Sequence, residues 1–247
     1  MAHLHAGTSG FAYSNWKPVF YPSALPAREF LPYYSRRLNA VEINYTFRRL
    51  PSPETIKSWA SGTPRGFAFC LKAPMRITHI LRLKDASDFL KKFLAAIAPL
   101  RTARKLGPIL FQLPPQFHCD PERLRAFLAS LPKGFKYVFE FRDASWLNSS
   151  VYGLLRKYHV ALCLAESEKL EVPEVVTAGF VYYRLRRPDY AAKDIKAIRE
   201  RFTKFLKERK DVYVFFKHED TPGGALHAED LLRATGKAGG RNLSRKH

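Results

Sequence analysis

Hydrophobic and polar positions follow a repeating order along the chain: a short strand-like run, a loop, a helix-like run and then another strand-like run. The order continues without a change of composition to about residue 236. Strands that alternate with helices are typical of a parallel sheet with helical crossovers. The strand-like runs are Leu4–Thr8, Ala40–Asn44, Phe67–Lys72, Pro108–Leu113, Tyr137–Arg142, Val160–Ala165, Phe180–Arg186 and Val212–Lys217.

Eight strands are the number that closes a parallel barrel, and a chain of 247 residues is an ordinary length for one such domain. The pattern therefore predicts an α/β fold, a single-domain TIM-like (β/α)8 barrel over residues 1–236. Residues 237–247 carry four cations and no acid, and they are predicted to form a disordered basic tail.

The sequence contains two motifs that are typical of helix N-termini. Ser52-Pro53-Glu54 and Asp120-Pro121-Glu122 each supply a capping side chain, a proline for the first helical position and an acid for the first turn. Apolar residues at helical spacing also predict helices within residues 85–104 and 195–206, and a last helix is expected around Ala225–Ala234.

Charged side chains stand at the carboxyl ends of the predicted strands. Because successive strand residues point to opposite faces, Glu140 and Arg142 share one face and Phe139 and Phe141 the other. The same alternation marks the ends of five more strands, with apolar residues on the opposite faces. The polar face, predicted to be the barrel interior, carries Glu42, Asn44, Lys72, Gln112, Glu140, Arg142, Arg184, Arg186 and Lys217.

These polar residues are expected to meet at one rim of the barrel, since active sites of such barrels lie at the carboxyl ends of the strands. Burying an unpaired charge costs several kcal/mol, roughly, so six strands converging on charged groups predict a ligand site. Two acids, Glu42 and Glu140, face five cations there. The excess of positive charge predicts an anionic ligand, because arginine forks onto phosphate and carboxylate oxygens.

Long loops add further candidate ligand contacts. The segment Gly10–Leu25 holds Trp16, and the segment Ala73–Lys84 holds His79. We expect Trp16 and Trp146 to stack on a ring of the ligand and His79 to contact it.

The net charge of the chain indicates which kind of partner it would bind. The formal net charge of +20 favours phosphorylated metabolites or nucleic acid. No apolar run reaches the roughly 18 residues of a membrane span, and the first ten residues do not resemble a signal peptide, so a cytoplasmic protein without membrane contact is expected.

Cofactor and metal motifs are sparse. Cys70, Cys119 and Cys163 are scattered and form no C-x-x-C pair. No G-x-x-x-x-G-K-S/T, G-x-G-x-x-G or G-x-S-x-G motif occurs, and no cofactor is predicted. A metal site is not predicted either, although Glu42, Glu140, His79 and the run His218–Asp220 carry suitable ligand atoms.

Ordered motifs along the chain also resemble the YecE-like family, known as domain of unknown function 72, from about Leu4 to about Gly236. The resemblance implies a TIM-like barrel and supplies no reaction. The motifs that carry it are Gly7-Thr8-Ser9-Gly10 with Tyr13 and Trp16, Val41-Glu42-Ile43-Asn44 with Thr46-Phe47, Leu50-Pro51-Ser52-Pro53-Glu54-Thr55, Lys72-Ala73-Pro74 with Ile77-Thr78-His79, Phe111-Gln112-Leu113-Pro114-Pro115, and Glu140-Phe141-Arg142 with Ser145-Trp146.

Three functions fit these residues, and the sequence leaves open whether the protein is an enzyme. The first is a barrel that binds, and as a candidate hydrolase acts on, a phosphorylated or nucleic-acid ligand. In it Arg142, Arg184, Lys72 and Lys217 hold the anion and Glu140 or Glu42 moves a proton. The second is a glycoside-type enzyme that uses Glu42 and Glu140 as its carboxylate pair. The third is a non-catalytic nucleic-acid-binding module with exterior contacts at Arg82, Lys84, Arg101, Arg104 and Lys105.

Overall fold

The computed structural model describes residues 1–187, 189–217 and 220–236. Eight parallel strands form a nearly closed barrel, in the order β1-β8-β7-β6-β5-β4-β3-β2. The predicted tail, residues 237–247, and residues 218–219 lie outside the described ranges. The strands are β1 Leu4–Thr8, β2 Ala40–Ile43, β3 Ala68–Lys72, β4 Leu106–Gln112, β5 Tyr137–Glu140, β6 Ala161–Ala165, β7 Phe180–Leu185 and β8 Asp211–Phe216.

Helices connect most of the strands, as the sequence predicted. The Ser52 hydroxyl accepts the Thr55 amide at 3.2 Å, and the Asp120 carboxylate accepts the Arg123 amide at 3.0 Å, so both predicted helix starts are confirmed. The helices are α1 Phe30–Arg37, α2 Tyr45–Arg48, α3 Pro53–Ser61, α4 Ser87–Thr102, α5 Pro121–Ser130, α6 Ser149–Lys157, α7 Ala192–Lys207 and α8 Gly223–Gly236.

The barrel closes at a seam between β1 and β2 that depends on side chains. Asn39 accepts the Ala6 amide at 2.9 Å and donates to the Leu4 carbonyl at 2.8 Å. The Tyr34 hydroxyl accepts the Thr8 amide at 2.8 Å and donates to the Ala40 carbonyl at 3.0 Å. These groups replace ladder hydrogen bonds until a single bridge forms at the end of the seam, between Ser9 and Glu42.

The connection between β6 and β7 departs from the regular alternation of strands and helices. Residues 166–179, all described, contain no helix, and Val172, Val175 and Val176 pack on the outer side of the barrel. Thr177 fastens the segment to β6, because its hydroxyl accepts the Leu162 amide at 2.8 Å and donates to the Val160 carbonyl at 2.7 Å. Without a helix there, a cavity of about 870 Å³ opens between this segment and α7.

Two apolar clusters separate the inner and outer faces of the strands. The inner cluster includes Cys70, Leu110, Cys163, Tyr182 and Phe215, which occupy the positions between the polar rim residues. The outer cluster packs the strands under the helices. The predicted assignment of faces is confirmed. Among the described residues, no helix is both long and apolar enough to cross a membrane.

Candidate functional site at the barrel mouth

Arg184 lies at the centre of the barrel interior, on β7. Its Nη2 donates to Oε1 of Glu42 at 2.7 Å and its Nη1 donates to Oε2 of Glu140 at 2.6 Å. The side chain of Arg184 is 3% exposed and neither glutamate is exposed. Burial alone would lower the pKa of Arg184, but the two carboxylates hold it well above its ordinary value. One guanidinium therefore joins the two predicted acids.

Glu140 receives two further guanidinium groups and an amide. Arg142 Nε donates to Glu140 Oε1 at 2.5 Å, Arg186 Nη2 donates to the same oxygen at 3.2 Å, and Gln112 Nε2 donates to Oε2 at 3.0 Å. Burial alone would raise the pKa of Glu140, but Arg184, Arg186 and Arg142 outweigh it and hold the pKa far below its ordinary value. Glu140 is therefore ionised at neutral pH and poorly suited to carry a proton.

Glu42 is held by neutral hydroxyls as well as by Arg184. Tyr182 donates to its Oε2 at 2.7 Å, and Ser9 Oγ makes a very short hydrogen bond to its Oε1. Burial, reinforced by the Glu42 charge, raises the pKa of Tyr182 well above its ordinary value, so this hydroxyl stays protonated and remains a donor. The carboxylate of Glu42 is thus committed to groups of the protein on both oxygens.

Lys72 ends β3 in a different environment. Its Nζ donates to Gln112 Oε1 at 2.8 Å and lies 3.7 Å from the centre of the Phe47 ring. No carboxylate of the described ranges forms an ion pair with this ammonium. Burial, helped by the nearby charge of Arg184, lowers the pKa of Lys72 to about 8. The ammonium of Lys72 therefore loses its proton at lower pH than that of an ordinary lysine.

His79 contacts Phe47, the ring that also lies against Lys72. Its ring meets Phe47 edge-on, with 4.9 Å between ring centres, and its Nδ1 lies 2.9 Å from the Thr78 hydroxyl. Burial lowers the pKa of His79, and the charge of Lys72 lowers it further. The imidazole is therefore neutral at pH 7 and presents one nitrogen acceptor.

Together these side chains form what we call the mouth cluster. Four cations face two carboxylates, an excess of two positive charges even with both acids fully paired. Lys217 directly follows β8 and is half-buried, which places a fifth cation at the same rim. The mouth cluster consists of Glu42, Lys72, Gln112, Glu140, Arg142, Arg184 and Arg186.

Three buried polar atoms at the mouth have no hydrogen-bond partner among the described residues: Asn44 Oδ1, Arg184 Nε and Arg186 Nε. Asn44 lies just beyond the end of β2, and Arg186 just beyond the end of β7. Buried polar groups are normally paired. Asn44 Oδ1 could accept, and the two arginine Nε atoms could donate, one further hydrogen bond each.

The two tryptophans are not placed as predicted. Trp16 is fully buried against Tyr13, Phe20 and Tyr21 in the loop after β1. Trp146 is also fully buried, with its ring stacked on Phe141 at 5.0 Å. The prediction that these rings stack on a ligand is wrong for this conformation, because neither presents an exposed face. Their large apolar area stabilises the loops around the mouth instead.

Sequence reasoning missed Ser9, Tyr182 and Phe47. Tyr182 precedes Arg184 by two residues on one strand, so the alternation of faces placed it in the interior with the charged groups. Ser9 directly follows β1 within the Gly7–Gly10 motif. Phe47 belongs to one of the family motifs, but it lies in the short helix α2, where strand alternation assigns no face.

The carboxylate-pair interpretation does not fit this geometry. A glycoside-type acid must exchange a proton with the substrate, and the carboxylate that faces it must be accessible. Glu42 and Glu140 are both unexposed and share Arg184. No described set of three or more His, Cys, Asp or Glu side chains is arranged to hold a metal ion. Cys70, Cys119 and Cys163 are free thiols.

Comparisons with known proteins agree on a family. A family model described as "Protein of unknown function DUF72" matches residues 5–246. The UPF0759 protein YecE of Escherichia coli (strain K12) is 39% identical over 112 residues, 44% of this chain and 40% of that protein. The UPF0759 protein YunF of Bacillus subtilis (strain 168) is 27% identical over 139 residues, 53% of this chain and 49% of that protein. These matches span less than half the length of either relative.

Solved structures show the same fold. A crystal structure of a DUF72 family protein from Thermotoga maritima has a TM-score of 0.82 at 26% identity, covering 94% of this chain and 98% of that one. A DUF72 family protein from Enterococcus faecalis has a TM-score of 0.74 at 20% identity, with the same shares of both chains covered. The resemblance to the YecE-like family and the TIM-like barrel are confirmed.

Proposed function

Because the chain belongs to the family of proteins of unknown function DUF72, membership brings no reaction with it, and we propose from the site alone that the barrel mouth binds the phosphate group of an anionic ligand. The observation that carries the proposal is the excess of positive charge in the mouth cluster. Its two carboxylates are already shared among three guanidinium groups. Buried cations without a counter-charge are costly, so an anion at this place would lower the free energy of the protein.

The donors that remain suit an oxyanion. Arg142 uses only its Nε on Glu140, and its two terminal nitrogens have no acceptor among the described residues. Arg186 Nε is likewise buried without a partner. Guanidinium groups fork onto phosphate oxygens with two parallel N–H donors. Asn44 and Lys217, which directly follow β2 and β8 on the two sides of β1, would contact a further part of the ligand.

Arg186 also connects the mouth to the cavity beside β6 and β7. Its Nη2 donates to Glu140, and the residue also lines the space of about 870 Å³ together with Glu166 and Arg187. A cavity of this volume suits a small organic molecule. The body of a phosphorylated metabolite would occupy this side, with its phosphate directed at the arginines.

An extended nucleic acid fits the exterior cations less well. Arg101, Arg104 and Lys105 precede β4 at the amino-terminal end of the barrel, whereas Arg82 and Lys84 follow β3 at the opposite end. Lys105 is buried and donates to carbonyls of Ala60 and Thr63. The five residues do not form one patch, so a small phosphate ester is the ligand we favour.

Calorimetric titration with inorganic phosphate, glucose 6-phosphate and a ten-nucleotide DNA strand tests the proposal. The phosphate ester should bind, and Arg142→Gln and Arg186→Gln should each weaken it by about tenfold or more, since hydrogen bonds to charged groups contribute roughly 1.5–3 kcal/mol. Lys133→Gln removes one exposed cation at the opposite end of the barrel and should leave affinity unchanged. Equal losses in all three variants, or no binding of any phosphate compound at low salt, would overturn it.

A further inference from the structure

Lys72 differs from Lys105, the other buried lysine among the described residues, in how its ammonium protons are used. Lys105 Nζ donates to three oxygens, the carbonyls of Ala60 and Thr63 and the Thr63 hydroxyl, so all three of its protons are engaged. Lys72 Nζ has one hydrogen-bond acceptor among the described residues, Gln112 Oε1. Lys105 is thus a structural cation, and Lys72 keeps positions at which a ligand atom can approach.

The surroundings of Lys72 favour loss of a proton. No described carboxylate pairs with it, three guanidinium groups lie in the same cluster, and the residue is only 9% exposed. Burial and cationic neighbours activate a lysine amine as a nucleophile. The Phe47 ring at 3.7 Å lies against the ammonium on one side.

Gln112 fixes the amine beside the anion-binding groups. Its carbonyl oxygen accepts from Lys72, and its amide nitrogen donates to Glu140, the carboxylate that also holds Arg142 and Arg186. Amine and arginines are therefore joined through two hydrogen bonds and one carboxylate. This arrangement would place a reactive carbon of a bound ligand near Nζ while its anionic group meets the arginines.

We propose that Lys72 is a nucleophile that forms an imine with the carbonyl carbon of a small keto or aldehyde compound bearing a phosphate or carboxylate. In this step the Nζ lone pair forms a bond to the carbonyl carbon, and the carbonyl π electrons move to oxygen. The two amine hydrogens then leave with that oxygen as water, giving a C=N bond. No oxidant or reductant is consumed. The anionic part of this inference rests on the proposed function; the nucleophilic amine does not.

Reductive trapping tests the step directly. The full chain is incubated with dihydroxyacetone phosphate and sodium borohydride, which delivers hydride to the imine carbon, and the modified peptides are mapped by mass spectrometry. We expect one adduct, on Lys72, with labelling that increases as the pH rises through about 8, where the lowered pKa of the amine lies. Lys105 in the same molecules is the internal control and should stay unmodified.

Lys72→Arg keeps the charge but cannot form the imine, and it should abolish the adduct while leaving the circular dichroism and melting temperature close to those of the parent. The wild-type peptide map decides the question even if this variant fails to fold. Labelling spread over surface lysines, with Lys72 labelled no faster than they are, would overturn the proposal.

The failure of either proposal can be told from the failure of the other. Phosphate binding by calorimetry with no adduct on Lys72 would reject the imine and leave the anion site standing. Equal trapping of neutral dihydroxyacetone and its phosphate, with no competition by inorganic phosphate, would retain the nucleophilic lysine and reject the anion site. We expect the phosphate compound to react at least tenfold faster than the neutral one, and inorganic phosphate to compete.

Discussion

Arg184 and Glu140 form a buried ion pair in the barrel interior, with 2.6 Å between Nη1 and Oε2 and side chains that are 3% and 0% exposed. The same guanidinium also pairs with Glu42. Breaking a buried pair by removing one partner leaves uncompensated charge. Arg184 is therefore the side chain on which the electrostatics of the whole mouth depend.

Arg184→Met should lower the free energy of unfolding by about 3–5 kcal/mol, because two carboxylates would lose their shared counter-charge. Urea denaturation at pH 7 measures the loss. Arg142→Met is the matched control, since that side chain is 30% exposed and Glu140 keeps its other arginines. A loss in the Arg184 variant no larger than in the control would contradict the central role of Arg184.

The pH dependence of the free energy of unfolding below pH 5 should reveal the lowered pKa of Glu140. Its pKa is lowered by folding, so the stabilisation is complete above the pKa of the unfolded chain, about 4.3, and is lost as the pH falls below that value towards the folded pKa. The difference in stability between the parent and Glu140→Gln should shrink by about 1.4 kcal/mol for each pH unit below 4. Urea midpoints from pH 6 to pH 3 measure it, with exposed Glu122→Gln as control. A difference that stays constant over this range would refute the ionised state of Glu140.

The pH dependence of stability above pH 8 should reveal the lowered pKa of Lys72. Folding lowers the pKa of Lys72 from 10.5 to about 8, so the unfolded chain binds more protons between these values and stability rises with pH there. The free energy of unfolding of the parent should rise relative to that of Lys72→Met by about 3 kcal/mol between pH 8 and pH 10.5. Lys133→Met, exposed and distant, should follow the parent throughout. Parallel curves for the parent and Lys72→Met would show an unperturbed lysine.

The interior charged residues were predictable because strand geometry has a period of two. Once Glu140 was placed on the face opposite Phe139, every second residue of that strand was assigned, and the same rule placed Lys72, Gln112 and Arg184. The rule depends only on local backbone geometry, which the sequence determines directly. It holds even where the strands end a residue earlier than predicted, as β7 does before Arg186.

Loop residues obey no such rule. Trp16 and Trp146 had the right chemistry to stack on a ligand, yet they are buried because an indole contributes more by covering apolar neighbours than by facing water. The pairing of Arg184 with two acids from strands distant in sequence was also beyond local patterning. It depends on barrel closure, which brings Glu42 and Glu140 to the same guanidinium.

Gln112→Glu should disturb both proposed activities with almost no change in shape. The new carboxylate would lose the donated hydrogen bond to Glu140 and would favour the ammonium form of Lys72, raising its pKa above about 8. Phosphate affinity should fall, because the positive excess drops by one, and borohydride trapping should shift to higher pH. Calorimetry and the pH dependence of trapping measure these effects.

Gln112→Met is the neutral partner of that variant. It removes both hydrogen bonds of Gln112, the one from Lys72 and the one to Glu140, without adding charge, so the trapping profile should not move to higher pH. If both variants shift the profile equally, the effect comes from lost geometry and not from charge.

The seam between β1 and β2 should be intolerant of a single methyl group. A Cβ on Gly7 would lie 1.9 Å from the Ala40 carbonyl oxygen and 2.7 Å from the Tyr34 hydroxyl, so the two strands would have to separate. Gly7→Ala should therefore cost about 1–3 kcal/mol or more of unfolding free energy. Gly153→Ala is the contrasting control: its Cβ meets nothing within 4 Å in helix α6, and it should stabilise the protein by about 0.5–1 kcal/mol.

Because the same seam ends at the Ser9–Glu42 bridge, Gly7→Ala should also weaken phosphate binding. A Gly7 variant that is as stable and binds as tightly as the parent would show that the seam does not position the mouth.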